Sequence, residues 1–445
     1  MDMEWIQANL SAQTPSCAQL AADAARNRPV TLHGQIQTLR RLGDVVFVVL
    51  RLRDGLLQCV LDNPDRLDAA RLLREEAAVK VSGTLLPEMR APGGCELHIT
   101  ELELISLPGQ PRPLPLNRKS NGMSLDAQLN WRPLMLRHQD QRDRFRIQAE
   151  LCRAMRDFLH REGFTEIHTP KLVSAGAEGG SNIFRLDYFG QAAFLAQSPQ
   201  VYKQTMVGVY ERVFEVGPVF RAEKHNTVRH LNEYTSLDFE MGFIDSFRAI
   251  MGMETAMLRS AWLELAEVCQ PELERLKLDL APPGPIPAVR FADAKRQIQE
   301  RTGWRSRDPN DLEPEEERLI GLWAQETYGS DWVFITHYPT TKRPFYAMDD
   351  PEDPRVTLSF DLLYRGIEVT TGGQRIHDYD QQVAKMRQRG LDPEAFATYL
   401  MAHAYGLPPH GGLGIGLERL QMALTRAANI RQAALFPRDM KRLTP

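Results

Sequence analysis

The sequence predicts an α+β protein of two folded parts, a small β-barrel followed by a larger mixed domain. Three observations predict it. Between residues 29 and 105, strand-length runs of β-branched and apolar residues alternate with turn material. Residues 107–116 then read LPGQPRPLPL, whose prolines exclude both helix and central strand. Beyond them, helical periodicity and strand-like runs intermingle to the C-terminus.

In chain order, residues 1–26 form a polar arm rich in Ala and Gln, with partial helix expected. Strands are expected at 30–37, 45–52, 58–61, 79–86 and 96–104, separated by Arg53-Asp54-Gly55 and Ala91-Pro92-Gly93-Gly94. Short strands at that spacing suit a small closed barrel, for which the OB-fold is the commonest host. The proline-rich run reads as a stiff linker, which gives expected domains of 1–106 and 126–445 joined by 107–125. A long amphipathic helix is expected over 139–161, where Phe145, Ile147, Leu151, Met155 and Leu159 share one face. Further helices are expected over 245–268 and 313–328, with the Pro-rich 281–287 breaking the chain between them.

Composition narrows the class. The 445 residues are 43% hydrophobic and 25% charged, with a net charge of −4. Apolar runs such as 45–50 are strand-sized and too short for a membrane helix. Asp2 and Glu4 stand where a secretory leader would carry basic and apolar residues. The five widely spaced cysteines form no CxxC pair, so reduced thiols in a cytoplasmic protein are expected. The net charge gives no global sign of nucleic acid, although local basic patches can hold RNA on an acidic protein. No GxxxxGK[ST] loop or GxGxxG turn is present, so any nucleotide must be held by side chains on another scaffold.

Four segments carry the chemistry. They are GFTEIHTP at 163–170, FRAEKH at 220–225 running on through RHLNEYTSLDFEM at 229–241, GIGLERL at 414–420, and EGG at 178–180 with QSPQVYK at 197–203. The first three resemble, in order, the motifs of class II aminoacyl-tRNA synthetases: a Pro-ended dimer helix and strand, an FRxE loop and a GxGxER helix. The wording, including RPFYAM, FDLLYRGIEVTTGGQR and PPHGGLGIGLERL, is similar to aspartyl-tRNA synthetases of the archaeal type. The resemblance runs over residues 30–445. It implies an OB-fold anticodon-binding domain and a catalytic domain with a mostly antiparallel sheet flanked by helices.

Elementary chemistry points the same way. Attack at the α-phosphorus of ATP builds negative charge, which permanently charged guanidinium groups are suited to stabilise. Arg221 and Arg419 are the candidates, and the resemblance implies that they hold the α- and γ-phosphates. Glu223 stands two residues from Arg221, on the same face if the segment is a strand, and resembles the family acid that accepts the adenine amino group. The resemblance extends the ATP site to Arg229, His230, Leu231, Glu368, Gly416, Leu417 and Glu418. Glu368 lies among apolar residues, where a carboxylate needs a partner or a metal. The resemblance makes it a Mg²⁺ ligand, together with Thr371, which stands where the family usually has Ser.

For the amino acid, the resemblance implies Glu178 for the ammonium group and Ser198, Gln200, Lys203, Arg221, Thr371 and Arg375 around the rest. Two cations, Lys203 and Arg375, facing one side chain favour a carboxylate over a neutral amide. Arg221, Glu368 and Arg419 are thus the expected catalytic set, acting by positioning and electrostatics. In the barrel, Phe47 flanked by Arg40, Arg41, Arg51 and Arg53 is either a core residue or a platform on which single-stranded bases stack with basic support. The expected partners are tRNA(Asp), with tRNA(Asn) left open, and a second copy in a homodimer. Gln37 and Arg90 occupy family positions associated with strict or relaxed tRNA choice and match neither pattern.

Overall fold

The computed structural model describes residues 15–62, 68–116, 122–174, 182–224 and 227–445. The chain divides into two compact units, Met1–Gln139 and Asp140–Pro445.

In the first unit, β1 (Pro29–Leu42), β2 (Val45–Arg51), β3 (Leu56–Asp62), β4 (Ala78–Pro87) and β5 (Cys95–Ser106) close into a barrel in the order β1-β2-β3-β5-β4. Strict alternation sends Leu32, Ile36, Val46, Val48, Leu50, Val79, Val81 and Leu97 inward. Gly83 marks the closest approach of β4 to β5: a Cβ there would lie 2.0 Å from the His98 carbonyl oxygen. The helical part of the arm is Cys17–Ala24, started by a capping box on Ser16, and its Leu20 joins the barrel core. The rest of the arm, residues 1–14, lies outside the described residues.

The proline-rich run forms no helix or strand in residues 107–116, but it is packed rather than free-standing. Leu114 and Leu116 bury against Met135, and Arg112 pairs with Glu75 and Glu76. Glu76 also receives Arg51 and Arg137, both at 2.7 Å. Burial pushes its carboxyl up, yet these guanidinium groups hold its pKa down to about 2. One sequence reading changes here. Arg51 is buried in this network and does not flank Phe47 as a free cation. Gln37, at a bulge in β1, is buried as well; its amide donates to the Leu116 carbonyl and accepts from Arg51 at 2.5 Å. Phe47 is half-buried on the outer face of β2 with Arg40 opposite it in β1, and Arg90 is exposed.

The second unit is built on an eight-stranded sheet in the order β12-β13-β14-β15-β16-β11-β10-β6. Its strands are β6 (Thr165–Glu166), β10 (Arg212–Phe220), β11 (Glu233–Gly242), β12 (Ala288–Arg290), β13 (Trp332–Thr336), β14 (Ser359–Tyr364), β15 (Ile367–Gln374) and β16 (His410–Gly416). Every pairing is antiparallel except those of the two edge strands, β12 with β13 and β6 with β10. A small sheet of β7 (Leu172–Val173), β8 (Arg185–Tyr188) and β9 (Gln191–Leu195) stands apart. Helices Gln139–Arg161 and Arg248–Val268 share one core with the large sheet, where Ile147, Leu151, Met155, Trp262 and Leu265 meet Phe239, Phe360 and Leu413. The first helix has the bounds its periodicity predicts. The second begins three residues later than expected, with Phe247 buried in the core at its N-terminus.

Candidate active site

β11, β15, β16 and the connection between β13 and β14 line a cavity of about 360 Å³. Its polar walls contain Ser198, Gln200, Arg221, Glu223, Arg229, His230, Leu231, Glu368, Thr371, Arg375, Gly416, Glu418 and Arg419, so residues far apart in sequence converge. Glu178 lies outside the described residues.

At one end sit the arginines. Arg221 follows the last residue of β10, and Asn232 clamps this connection by donating to the carbonyls of Arg221 (2.7 Å) and Glu223 (3.2 Å). Arg221 and Glu223 are therefore not strand neighbours, as alternation suggested, but the loop still brings their heads to 3.8 Å. His230 bonds Thr227 at 2.5 Å and approaches Glu223 at 3.6 Å. Arg419, on helix Leu417–Leu424, reaches Glu368 at 3.4 Å. Leu417 turns its side chain into the main core and does not line the cavity. Glu418 is buried, and its two oxygens accept from the Thr235 N–H at 3.1 and 3.0 Å. Burial pushes its carboxyl up to about 7 despite those bonds, so it secures β11 to the helix rather than presenting a free charge.

Between the ends lies a group of acids. Glu368 is not buried among apolar residues, as its strand context suggested; its side chain is 35% exposed and faces the cavity, taking a hydrogen bond from Thr371 at 3.2 Å. Asp361 is buried against Arg343 at 2.8 Å, and that guanidinium stacks 3.9 Å over the Tyr338 ring. Burial pushes Asp361 up to about 6; the Arg343 charge opposes this and the Glu368 charge adds to it. Glu317 rises to about 7, through burial and then the Glu368 charge. Sequence reasoning missed Glu317, Arg343 and Lys342. RPFYAM carries the family resemblance, but nothing in its letters says that Arg343 meets Asp361.

Among the described residues, no set of three His, Cys, Asp or Glu side chains is arranged to hold a metal alone. Magnesium needs no such set, because it keeps waters and phosphate oxygens and asks the protein for one or two hard oxygen ligands. The crowded carboxylates of Glu368 and Asp361, with the Thr371 hydroxyl, fit that demand.

At the other end, Lys203 is 1% exposed, which excludes an ordinary surface lysine. It does not line the cavity. Its ammonium donates to Asp238 at 2.9 Å and to the Leu413 carbonyl at 2.7 Å, and lies 3.4 Å from Glu240. Arg375 does line it, donating through Nε to Glu240 at 2.8 Å and through Nη2 to the Gly412 carbonyl at 2.9 Å. Burial raises the Glu240 pKa, but Arg375 and then Lys203 pull harder, leaving it below the ordinary carboxylate value. The two cations are thus compensated by two acids, which corrects the expectation of two free charges. A buried ammonium has to be paired, and Asp238 and Glu240 alternate with Phe239 on β11 to face it.

The match to known proteins is extensive. The family described as tRNA synthetases class II (D, K and N) covers residues 124–440, and the OB-fold nucleic acid binding domain covers residues 30–105. The chain is a class II aminoacyl-tRNA synthetase. Aspartate–tRNA(Asp/Asn) ligases of Thermus thermophilus and Deinococcus radiodurans are each 45% identical to this synthetase over 94% of its length, covering 96% and 95% of their own. The crystal structure of asparaginyl-tRNA synthetase from Pyrococcus horikoshii with asparaginyl-adenylate superposes with a TM-score of 0.89 at 30% identity, spanning 97% of this synthetase and all of that chain. ATP is a substrate of this enzyme family. No helix among the described residues is long and apolar enough to cross a membrane.

Proposed function

We propose that this synthetase is an aspartate–tRNA ligase, activating L-aspartate with ATP and transferring the aspartyl group to the 3′ end of tRNA. The observation that carries the amino-acid assignment is the fixed guanidinium of Arg375 in the pocket wall, with Lys203 paired behind it. The 45% identity to enzymes named as aspartate–tRNA(Asp/Asn) ligases supports it.

In the first step an α-carboxylate oxygen of aspartate attacks the α-phosphorus, the bond to the bridging oxygen breaks, and pyrophosphate leaves with its electron pair. Arg221 neutralises the charge that grows on the α-phosphate, and Arg229 and Arg419 hold the departing phosphates. Glu223 and His230 orient the adenine end. Glu368, with Thr371 and Asp361, would hold Mg²⁺, which when bound offsets phosphate charge. Ser198 and Gln200 border the amino acid, Glu178 takes its ammonium group, and Arg375 takes its side-chain carboxylate. In the second step a terminal ribose hydroxyl of tRNA attacks the acyl carbon and releases AMP.

The barrel of residues 1–106 is assigned to the anticodon, with Phe47 and Arg40 on the outer face of β1 and β2 as stacking and charge support. Residues 126–445 carry catalysis, reached through 107–125. A homodimer through helix Gln139–Arg161 and the segment at 163–170 is the assigned assembly. The cytoplasm suits its five free cysteines.

The test is charging of purified tRNA(Asp) and tRNA(Asn), side by side, with aspartate and with asparagine. Aspartate should load tRNA(Asp), and asparagine neither. The tRNA range follows from the second acceptor: the relatives named for both tRNAs favour loading of tRNA(Asn) with aspartate too. Loading with asparagine, or no aspartate-dependent pyrophosphate exchange, would overturn the assignment.

A further inference from the structure

Glu317 lies outside every motif that carries the family resemblance, on helix Pro314–Tyr328, yet its carboxylate ends among the phosphate-binding arginines. Two features of the fold put it there. Ile320, Trp323 and Ala324 of the helix pack on Val333 and Ile335 of β13 and Leu363 of β14. One turn after Glu317, Gly321 lets the helix press backbone to backbone on the turn between β14 and β15. A Cβ at Gly321 would come within 2.5 Å of the Gly366 nitrogen, and one at Gly366 within 2.8 Å of the Arg318 Cα. Gly366 also has φ +71°, so glycine is required there twice over.

That contact lets a single oxygen do two things. Glu317 Oε2 accepts the Glu368 N–H at 2.9 Å and the Arg229 Nη1–H at 3.0 Å. Arg229 Nη2 donates to the Gly366 carbonyl at 3.4 Å, so the guanidinium is held from two sides. The Glu317 side chain is only 11% exposed, and burying a carboxylate is costly unless strong partners hold it. Glu315 of the same turn differs: it is half-exposed and pairs with Arg318 of its own helix at 2.6 Å, whereas Glu317 reaches away from the helix to Arg229 and the Glu368 N–H.

We propose that Glu317 is a positioning residue for the nucleotide end of the site, fixing the Arg229 guanidinium and the main chain beneath Glu368 before ATP arrives. This rests on the assignment of Arg229 and Glu368 given above. Glu317 touches no phosphate; it keeps a long, otherwise mobile side chain in the geometry that receives one, which lowers the ordering cost of binding.

The experiment is aspartate-dependent pyrophosphate exchange with ATP varied, on the full chain carrying Glu317→Ala, Glu317→Gln, Arg229→Ala and the Glu317→Ala/Arg229→Ala pair. Thermal melting and calorimetric ATP binding are measured on each. Losing a charge-assisted contact should raise the ATP KM and Kd of Glu317→Ala about tenfold, while the aspartate KM stays within about twofold. Glu317→Gln still accepts from the Glu368 N–H but offers Arg229 no charge; it should melt like the wild type and share the weaker ATP binding. The double variant should be no worse than Arg229→Ala, because the two residues act as one unit. Wild-type ATP affinity in Glu317→Gln, or additive losses in the pair, would overturn the proposal while leaving the function intact. Unchanged ATP KM in Arg229→Ala would instead overturn the underlying assignment of that arginine.

Discussion

Replacing Lys203 with Met separates two roles that a buried lysine can have in this pocket. The ammonium stands 2.9 Å from Asp238 and 3.4 Å from Glu240, and both acids are buried. At an effective dielectric near 20, each attraction is roughly 5 kcal/mol before desolvation is subtracted. Removing the lysine leaves Glu240 with Arg375 and Asp238 with the Ser236 hydroxyl at 2.5 Å but no cation, a loss expected to destabilise the domain by about 3–5 kcal/mol. The melting temperature should therefore drop by at least about 5 °C. The surplus negative charge should also repel aspartate far more than asparagine, and lower kcat/KM for aspartate by at least about a hundredfold. Adding Asp238→Asn removes the surplus. If Lys203 acts by compensating its acids, the double variant should regain most of the lost stability and return to within about tenfold of wild-type kcat/KM, a residual of about 1.4 kcal/mol. Scanning fluorimetry and pyrophosphate exchange read the two effects separately. A double variant that melts normally but stays crippled toward aspartate would refute this reasoning and put Lys203 in direct contact with the substrate. An unchanged melting temperature in the single variant would refute the buried ion pair itself.

Two further outcomes follow from other parts of the cavity and its support. Arg221→Ala and Arg419→Ala should each cost on the order of 2–4 kcal/mol in kcat/KM for exchange while melting within about 2 °C of wild type, and near-normal exchange in either would misplace the phosphates. Glu254, on helix Arg248–Val268, is fully buried, and burial pushes its pKa from 4.5 up to about 8, the Thr370 hydroxyl opposing this and the Asp361 charge adding to it. Because the folded value lies above the unfolded one, the fold carries no charge penalty below about pH 4.5 and a growing one up to about pH 8, on the order of 5 kcal/mol at full extent. Glu254→Gln should therefore gain melting temperature over wild type as pH rises from 5 to 8.5, and a difference that stays constant with pH would show that the carboxyl is not buried in this way.

What could be read from the sequence was whatever depends on near neighbours. The period of Phe145, Ile147, Leu151, Met155 and Leu159 marks a helix whose observed bounds, Gln139–Arg161, agree with it. The alternating runs of the barrel are extended by a few residues at most of their ends, where the hydrogen-bonded ladder outlasts the apolar pattern. Residue types at the cavity were also legible, since phosphates call for arginines and a metal for hard oxygens. The partners of those residues were not. Lys203 meets an acid 35 positions away and a carbonyl 210 away, and Arg229 meets Glu317 across 88 positions. Gln37 looks like a surface residue in a strand, and only the packing of Leu116 and Arg51 over it shows that it is buried. Composition and spacing identify a charge; they do not say what neutralises it.

That difference matters for how a pocket of balanced charge can still choose a carboxylate. With Lys203 and Arg375 set against Asp238 and Glu240, this cluster offers no net positive charge to attract aspartate over long range. Under the assignment of Arg375 proposed above, selection comes from the direction of the donors. The hydrogen bonds of Arg375 to Glu240, Gly412 and Gln200 engage Nε and Nη2, and none of them uses Nη1. A carboxylate can turn either oxygen to the remaining Nη1 donor, whereas an amide must turn either its one oxygen or an NH₂ group toward it. An amide that presents its nitrogen sets donor against donor, and one that presents only its oxygen leaves its nitrogen to find an acceptor among groups already bonded to one another. The paired acids thus serve discrimination in a second way, because Asp238 and Glu240, engaged by Lys203 and Arg375, are not free to welcome the amide nitrogen. Internal pairing gives up long-range attraction and gains a rigid donor array whose mismatch with asparagine is local and therefore little affected by salt.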